Sequence, residues 1–315
     1  MPRRLYMPIE VLESIKKHIS ASIPKAVDGF MSANEDEDTM TGQFGACLRT
    51  GTHIVNVENA EIDGPWKWSI DYTKFRGRGK DATESFVGAD GIIELSIDWS
   101  GRKETKALLF QAKMDWQSDK SLLQQAILLS TWREASLFIN YTETAIEALS
   151  IDAVLRSRGV RSDAKDILPL ADALTDYFLQ CKIGSTDLAY DAVARQLRWR
   201  AGNGVTVATQ FSIPHRLRVK VKAPGYKHKL EWNKLIPKSE IHSHRMAVEP
   251  DELIAPLLTS DVPEIKKQMQ AISSAYHPDK LGKMDQLSMD LINRRMQEFN
   301  EVFSAIKAKA KPRVG

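Results

Sequence analysis

The chain has 315 residues, 43% of them hydrophobic and 27% charged, enough apolar side chain for a full core and enough length for a main domain plus a small second one. With 44 Lys and Arg against 41 Asp and Glu, the formal net charge is only +3, so affinity for a polyanion has to come from local clustering of charge. No apolar run reaches the length of a membrane span, Met1–Arg4 lead into a charged amphipathic stretch and not a signal core, and Cys47 and Cys181 are too few for a Cys-rich zinc site; a cytoplasmic, reducing setting without membrane contact is expected.

Ile9, Leu12, Ile15 and Ile19 recur at helical spacing and predict an N-terminal helix that stops near Pro24. A second helix is predicted from the acidic run Asn34–Asp38 through Phe44 and Leu48, because carboxylates in a first turn suit the positive end of the helix dipole. Strands are expected around Ile54–Val57 and Trp66–Phe75, followed by a basic glycine-containing loop with Arg76, Arg78 and Lys80. Asp90–Asp98 alternates, Ser100-Gly101-Arg102 supplies turn chemistry and Thr105–Lys113 runs back, which predicts a β-hairpin. Centring the turn between Gly101 and Arg102 sets Ile93 against Phe110, Leu95 against Leu108, Asp90 opposite Lys113 and Ile92 opposite Gln111. Residues two apart on a strand point the same way, so Asp90, Gln111 and Lys113 share one face at the hairpin's open end. Ser118 or Asp119 can cap a helix through Leu122, Ala126 and Leu129, and Ser136–Tyr141 reads as a buried strand. Helix, hairpin, helix, strand is the order of an α/β core. Residues 145–205 are predicted mostly helical, including Ile167–Leu179 and Leu188–Trp199.

His215–Lys222 alternates Leu217, Val219 and Val221 with Arg216, Arg218, Lys220 and Lys222. Such a strand can lay four cations along a phosphate backbone, with Tyr226 and Trp232 following to stack on bases; the bland alternative is an edge strand kept from aggregating by its charge. Between Pro224 and Pro250 the periodic pattern gives way to Pro, Gly, His and Lys, the composition of a linker; His242 and His244 lie there without a matching metal-ligand cluster.

Gly88-Ala89-Asp90 and Phe110-Gln111-Ala112-Lys113 together resemble the two strand motifs of the PD-(D/E)XK nuclease superfamily, in a Q-x-K variant, and the acidic Glu37–Gly42 segment resembles its helical motif. The resemblance covers about residues 34–141. It implies a restriction-endonuclease-like mixed sheet flanked by helices and a Mg2+ or Mn2+ site held by Glu37, Asp90, Gln111 and the Ala112 carbonyl. Glu35 and Asp38 stand as fallbacks for Glu37. Lys113 would assist the attacking water and Gln125 would help to hold substrate or water. The neutral Gln111 leaves Glu37 and Asp90 as the only negative ligands.

Further on, Ile265, Met269, Ile272 and Tyr276 share a helical face, His277-Pro278-Asp279-Lys280 breaks the helix, and Ile292, Met296, Phe299, Phe303 and Ile306 form a second apolar stripe. Over about residues 249–309 this is similar to the J domain of DnaK-class co-chaperones, a small all-α helical hairpin. The resemblance implies that His277, Pro278 and Asp279 engage the chaperone ATPase.

The expected organisation is thus a nuclease-like domain over residues 1–225, a linker over 226–248 and a J-like module over 249–315. The expected function is a Mg2+-dependent DNA endonuclease, of bacterial antiviral defence or restriction type, with Arg76, Arg78, Lys80, Arg216, Arg218, Lys220 and Lys222 on nucleic acid. One site per chain implies a homodimer or a further partner for cutting both strands. The rival reading is a non-catalytic co-chaperone or adaptor whose nuclease-like domain binds a client or nucleic acid. A sequence-specific DNA-binding regulator is disfavoured, since no groove-reading helix stands out.

Overall fold

The computed structural model describes residues 7–28, 36–58, 64–75, 88–99, 102–117, 120–200, 206–210, 213–224 and 304. The basic loop with Arg76, Arg78 and Lys80, the fallback Glu35, the linker histidines and the J-like segment with His277, Pro278 and Asp279 lie outside the described residues.

Helix α1 (Ile9–Val27) buries Val11, Ile15 and Ile19, the stripe its periodicity predicts. It does not stop at Pro24 but carries that residue inside and ends at Asp28, whose N–H bonds the Pro24 carbonyl. Helix α2 (Glu37–Leu48) starts where the acidic run predicts: Asp36 caps it by accepting the Thr39 N–H at 2.8 Å, and Met40, Phe44 and Leu48 face the core.

Strands β1 (Thr50–Val57), β2 (Gly64–Lys74), β3 (Gly91–Trp99), β4 (Arg102–Met114), β5 (Ser136–Tyr141), β6 (Ile146–Ser150), β7 (Leu168–Pro169) and β11 (His215–Lys222) form one sheet in the order β1-β2-β11-β3-β4-β5-β6-β7. The sheet is mixed, with β11–β3 and β4–β5 parallel and the other neighbours antiparallel. One face carries α1, α2 and the helical stretch of α5 (Leu170–Asp172), which continues through Ala173–Leu179 in wider turns. The other carries α3 (Lys120–Leu129), α4 (Ile151–Arg156) and a small antiparallel sheet of β8 (Leu188–Asp191), β9 (Gln196–Arg200) and β10 (Thr206–Gln210). The chain is therefore α/β, a large mixed sheet flanked by helices. No helix among the described residues is long and apolar enough to cross a membrane.

Three expectations need correction. The β3–β4 register pairs Ile93 with Leu108, Gly91 with Phe110 and Trp99 with Arg102, two residues away from the register expected. Both faces of β3 are buried, Ile92 against one layer and Ile93, Leu95 and Ile97 against the other, so alternation could not set the register and the length of the turn did. A slip of two keeps every side chain on its face. The second correction is Leu188–Trp199, a hairpin and not a helix: Leu188 pairs with Trp199 and Tyr190 with Leu197, a period of two, and Arg195 adopts a positive φ of 51° in the turn. Ile146–Ser150 is likewise a strand, its apolar residues sealed into the sheet. The third concerns the alternative reading of His215–Lys222 as an edge strand: β11 lies inside the sheet between β2 and β3.

At Gly91 the packing of β3 against β4 and β11 leaves no room for a side chain. A Cβ there would meet Phe110 Cζ at 2.3 Å and the His215 carbonyl oxygen at 2.7 Å. Gly91→Ala is expected to cost about 1–3 kcal/mol through the overpacking it forces, read as a lower urea midpoint at unchanged m-value.

Candidate functional site

The site forms at the end of the sheet where β3 and β11 begin and β4 ends. Helix α2 lies across that end because Met40, Phe44 and Leu48 anchor it on the sheet, and its capped first turn brings Glu37 and Asp38 over the strand ends. The parallel pairing of β11 with β3 sets His215 beside Gly91, with the His215 N–H donating to the Asp90 carbonyl at 3.2 Å.

Asp90 sits one residue before β3, 9% exposed. Its Oδ2 accepts the Ala112 N–H at 2.7 Å and the Gln111 Nε2–H at 2.6 Å. Gln111 is fully buried; its Nε2 also lies 3.3 Å from the Ala112 carbonyl, and its Oε1 has no hydrogen-bond partner among the described residues. Lys113 Nζ stands 3.5 Å from Glu37 Oε1, the lysine side chain 12% exposed and the glutamate 36%. Expected neighbours thus meet in two pairs, Asp90 with Gln111 and Glu37 with Lys113, and the expected cross-strand pairing of Asp90 with Lys113 gives way to Asp90 against the Gln111–Ala112 segment. Gln125 on α3 passes Gly88 closely with its backbone, and its buried Oε1 is also without a partner among the described residues.

Tyr141 lies buried near both pairs. Its hydroxyl donates to Thr41 Oγ1 at 3.1 Å, and Thr41 Oγ1 donates to the Glu37 carbonyl at 2.7 Å. Burial pushes the phenol far above its ordinary value, and the negative charges of Asp90 and Glu37 push the same way, so both carboxylates lie within electrostatic reach of one buried hydroxyl.

Beside them stands a relay that the sequence did not disclose. His215 is 2% exposed; its Nε2 lies 2.9 Å from Asp38 Oδ1 and its Nδ1 2.7 Å from the Tyr72 hydroxyl. Lys74 Nζ donates to Asp38 Oδ2 at 2.7 Å. An ionised Asp38 can only accept, so Nε2 carries the proton and Nδ1 accepts from Tyr72. Burial holds the imidazole below its ordinary pKa in spite of Asp38, which favours this neutral tautomer. Burial pulls the Asp38 carboxyl upward, yet the bonds from Lys74 and His215 outweigh it and its pKa is lowered. Burial and the charge of Asp38 push the Tyr72 phenol up to about 12. The sequence signal for this trio was weak: His215 opened a run read for its cations, and Tyr72 sat unremarked in a strand.

Three of the basic residues of β11 are engaged by carboxylates. Arg216 Nε bonds Glu94 Oε2 at 2.6 Å and Arg218 Nη2 bonds Asp71 at 3.4 Å, while Lys220 also pairs with Asp71. Arg216 is thereby held under the small sheet, its Nη2 reaching the Tyr190 carbonyl at 3.4 Å.

Among the described residues no three His, Cys, Asp or Glu side chains stand close enough to hold a metal ion. A magnesium-class ion needs less, since it keeps several waters and takes one or two carboxylates with other oxygens. The unpartnered Gln111 Oε1 matches that chemistry: half a turn of the amide, whose Nε2 now bonds Asp90, would place Oε1 beside the carboxylate, a clash that a shared cation would relieve. Compared with protein-family models, with curated proteins and with solved structures, the chain matches none.

Two outcomes follow from the relay. Tyr72→Phe leaves the buried Nδ1 of His215 unpaired and is expected to cost about 1–3 kcal/mol in a denaturant melt. His215 has a folded-state pKa below that of the unfolded chain, so the unfolded state takes up the proton first. Stability is then full above about pH 6.5 and falls as pH drops from there toward the lowered folded value; in His215→Gln the decline over that window is expected to be shallower.

Proposed function

We propose that the corner formed by Glu37, Asp90, Gln111 and Lys113 is a divalent-metal phosphodiester-hydrolysing site and that the chain is a DNA endonuclease of the PD-(D/E)XK type, acting in bacterial defence or restriction. The observation that carries this reading is the buried Asp90–Gln111 contact, 2.6 Å long with the amide oxygen left over, at the same end of a mixed α/β sheet as the Glu37–Lys113 pair. Asp90, Gln111 Oε1, the Ala112 carbonyl and Glu37 would hold Mg2+ or Mn2+. Such an ion offsets charge on the scissile phosphate and lowers the pKa of a bound water. Lys113 supplies a fixed ammonium, little exposed, that stabilises charge developing at the phosphate. The Tyr72–His215–Asp38 relay fixes the first turn of α2, and with it the position of Glu37. The basic residues Arg76, Arg78 and Lys80 are assigned to the DNA backbone, and His277, Pro278 and Asp279 to a DnaK-class chaperone.

A second reading, a non-catalytic co-chaperone or adaptor, draws on a specific feature: a single carboxylate, Asp90, touches Gln111, while Glu37 is held by Lys113. It predicts no cutting and a stimulation of chaperone ATPase that disappears on His277→Gln.

The full-length protein incubated with plasmid and Mg2+ or Mn2+ separates them. The nuclease reading expects nicked or linear product that stops with EDTA and falls on the order of 100-fold in Lys113→Ala and in Asp90→Asn. Cleavage that survives both substitutions rules the assignment out, and intact plasmid with the wild type selects the adaptor. Calorimetric Mg2+ binding that vanishes in Asp90→Asn is the matching readout without turnover.

A further inference from the structure

A second concave feature lies on the sheet, at the other end of β3 from Asp90. It is a cleft of about 460 Å3 lined, among the described residues, by β1, β2, β3, β4 and β11. Asp98 lies eight residues after Asp90, so the cleft lies about 26 Å from the corner along the strand. The small sheet stands between them, for Tyr190 of β8 bonds Glu94 of β3 and Arg216 of β11 midway along the face.

The cleft is a charged lattice. The ladder sets Lys67 of β2 against Lys222 of β11, Lys222 against Asp98 of β3, and Asp98 against Lys103 of β4, one row across four strands. The next row sets Ser69 against Lys220 and Lys220 against Ser96. Like charges directly opposite each other in a sheet destabilise it, and Lys67 faces Lys222 in that way. Lys67, Lys103 and Lys222 are all exposed, and no ion pair holds any of them among the described residues. Arg218, also lining the cleft, has a buried Nε with no partner among the described residues. A chain with a formal charge of +3 therefore gathers five cations, Lys67, Lys103, Arg218, Lys220 and Lys222, and one carboxylate, Asp98, in one hollow, with Asp71 pairing Arg218 and Lys220. With strands about 4.8 Å apart, the lysine row spans about 14 Å, the footprint of an extended polyanion and not of a single ion.

We propose that this cleft is a nucleic-acid backbone site, distinct from the corner. Lys67, Lys103 and Lys222 neutralise successive phosphates, while Ser69 and Ser96 donate hydrogen bonds to phosphate oxygens. The lysines and serines of the lining are matched here to phosphate oxygens, which carry no sequence information, so binding through them is independent of sequence. The choice of nucleic acid over other polyanions rests on the hydrolytic reading of the corner; the anion site itself does not. The anchoring residues thus differ from the strand-only set of Arg216, Arg218, Lys220 and Lys222: Arg216 is committed to Glu94, and Lys67 and Lys103 join from neighbouring strands.

Fluorescence anisotropy of the full-length protein with a labelled single-stranded oligonucleotide of about 20 nucleotides, in EDTA so that no cutting is needed, tests this directly. Lys67→Gln/Lys103→Gln/Lys222→Gln is expected to weaken binding at least about tenfold and to reduce the slope of log K against log salt by about 2, at about 0.7 for each phosphate no longer neutralised. Its melting temperature is expected to change little, since the Lys67–Lys222 repulsion and the attractions of Asp98 to Lys222 and Lys103 are removed together. Unchanged affinity and slope in this triple variant overturn the proposal. Heparin binding as tight as the oligonucleotide, with the same dependence on the three lysines, overturns the nucleic-acid assignment. The triple variant is expected to keep the wild type's calorimetric Mg2+ binding, so a failure of the corner as a nuclease and a failure of the cleft as a binding site read out separately.

Discussion

A carboxylate at the edge of a hydrophobic sheet needs solvation from the chain itself, and Asp90 receives it from the Ala112 N–H and the Gln111 amide. Charge-assisted bonds of this kind contribute about 1.5–3 kcal/mol each, whereas a buried charge left without them costs several. The pair of bonds therefore ties the beginning of β3 to the end of β4. His215 is drawn into the same knot through its N–H on the Asp90 carbonyl, which places β11 against β3 and sets the rim of the corner.

From that rim the sheet serves two ends differently. Near Asp90 it is covered by α2, and polar side chains there are paired in chains that run from buried to exposed members: Tyr141 to Thr41, Tyr72 to His215 to Asp38 to Lys74. Networks of this kind hold a site rigid, because displacing any one member leaves its neighbours unsatisfied. Near Lys222 the same sheet lies open to solvent and its charges are exposed. A closed, low-dielectric end suits chemistry, and an open basic end suits long-range attraction and holding.

The site was partly legible from the residues. Two strands with Gly-Ala-Asp and Gln-x-Lys at their ends brought Asp90 and Gln111 together, and the capped acidic helix brought Glu37 to Lys113. These features are local or depend only on which face a side chain takes, and a slip of two residues in register leaves faces unchanged. The relay was not legible, because Tyr72, His215 and Asp38 come from β2, β11 and α2, and their meeting depends on β11 inserting between β2 and β3 from far along the chain. The lysine row was hidden for the same reason, Lys67 and Lys103 being remote in sequence from Lys222.

Composition and periodicity were sufficient for the α/β class, for α1 and α2, for β5 at Ser136–Tyr141 and for a hairpin from Gly91 to Met114, since each rests on a side-chain period and its stop signals. They misread Leu188–Trp199, where a short amphipathic stretch satisfies both helical and strand periods and only packing against Trp132 and the main sheet chooses between them. Strand order, the interior position of β11 and the separation of a closed corner from an open cleft were settled in three dimensions. Those properties come from which apolar faces cover one another, and such pairings carry no local trace in the chain.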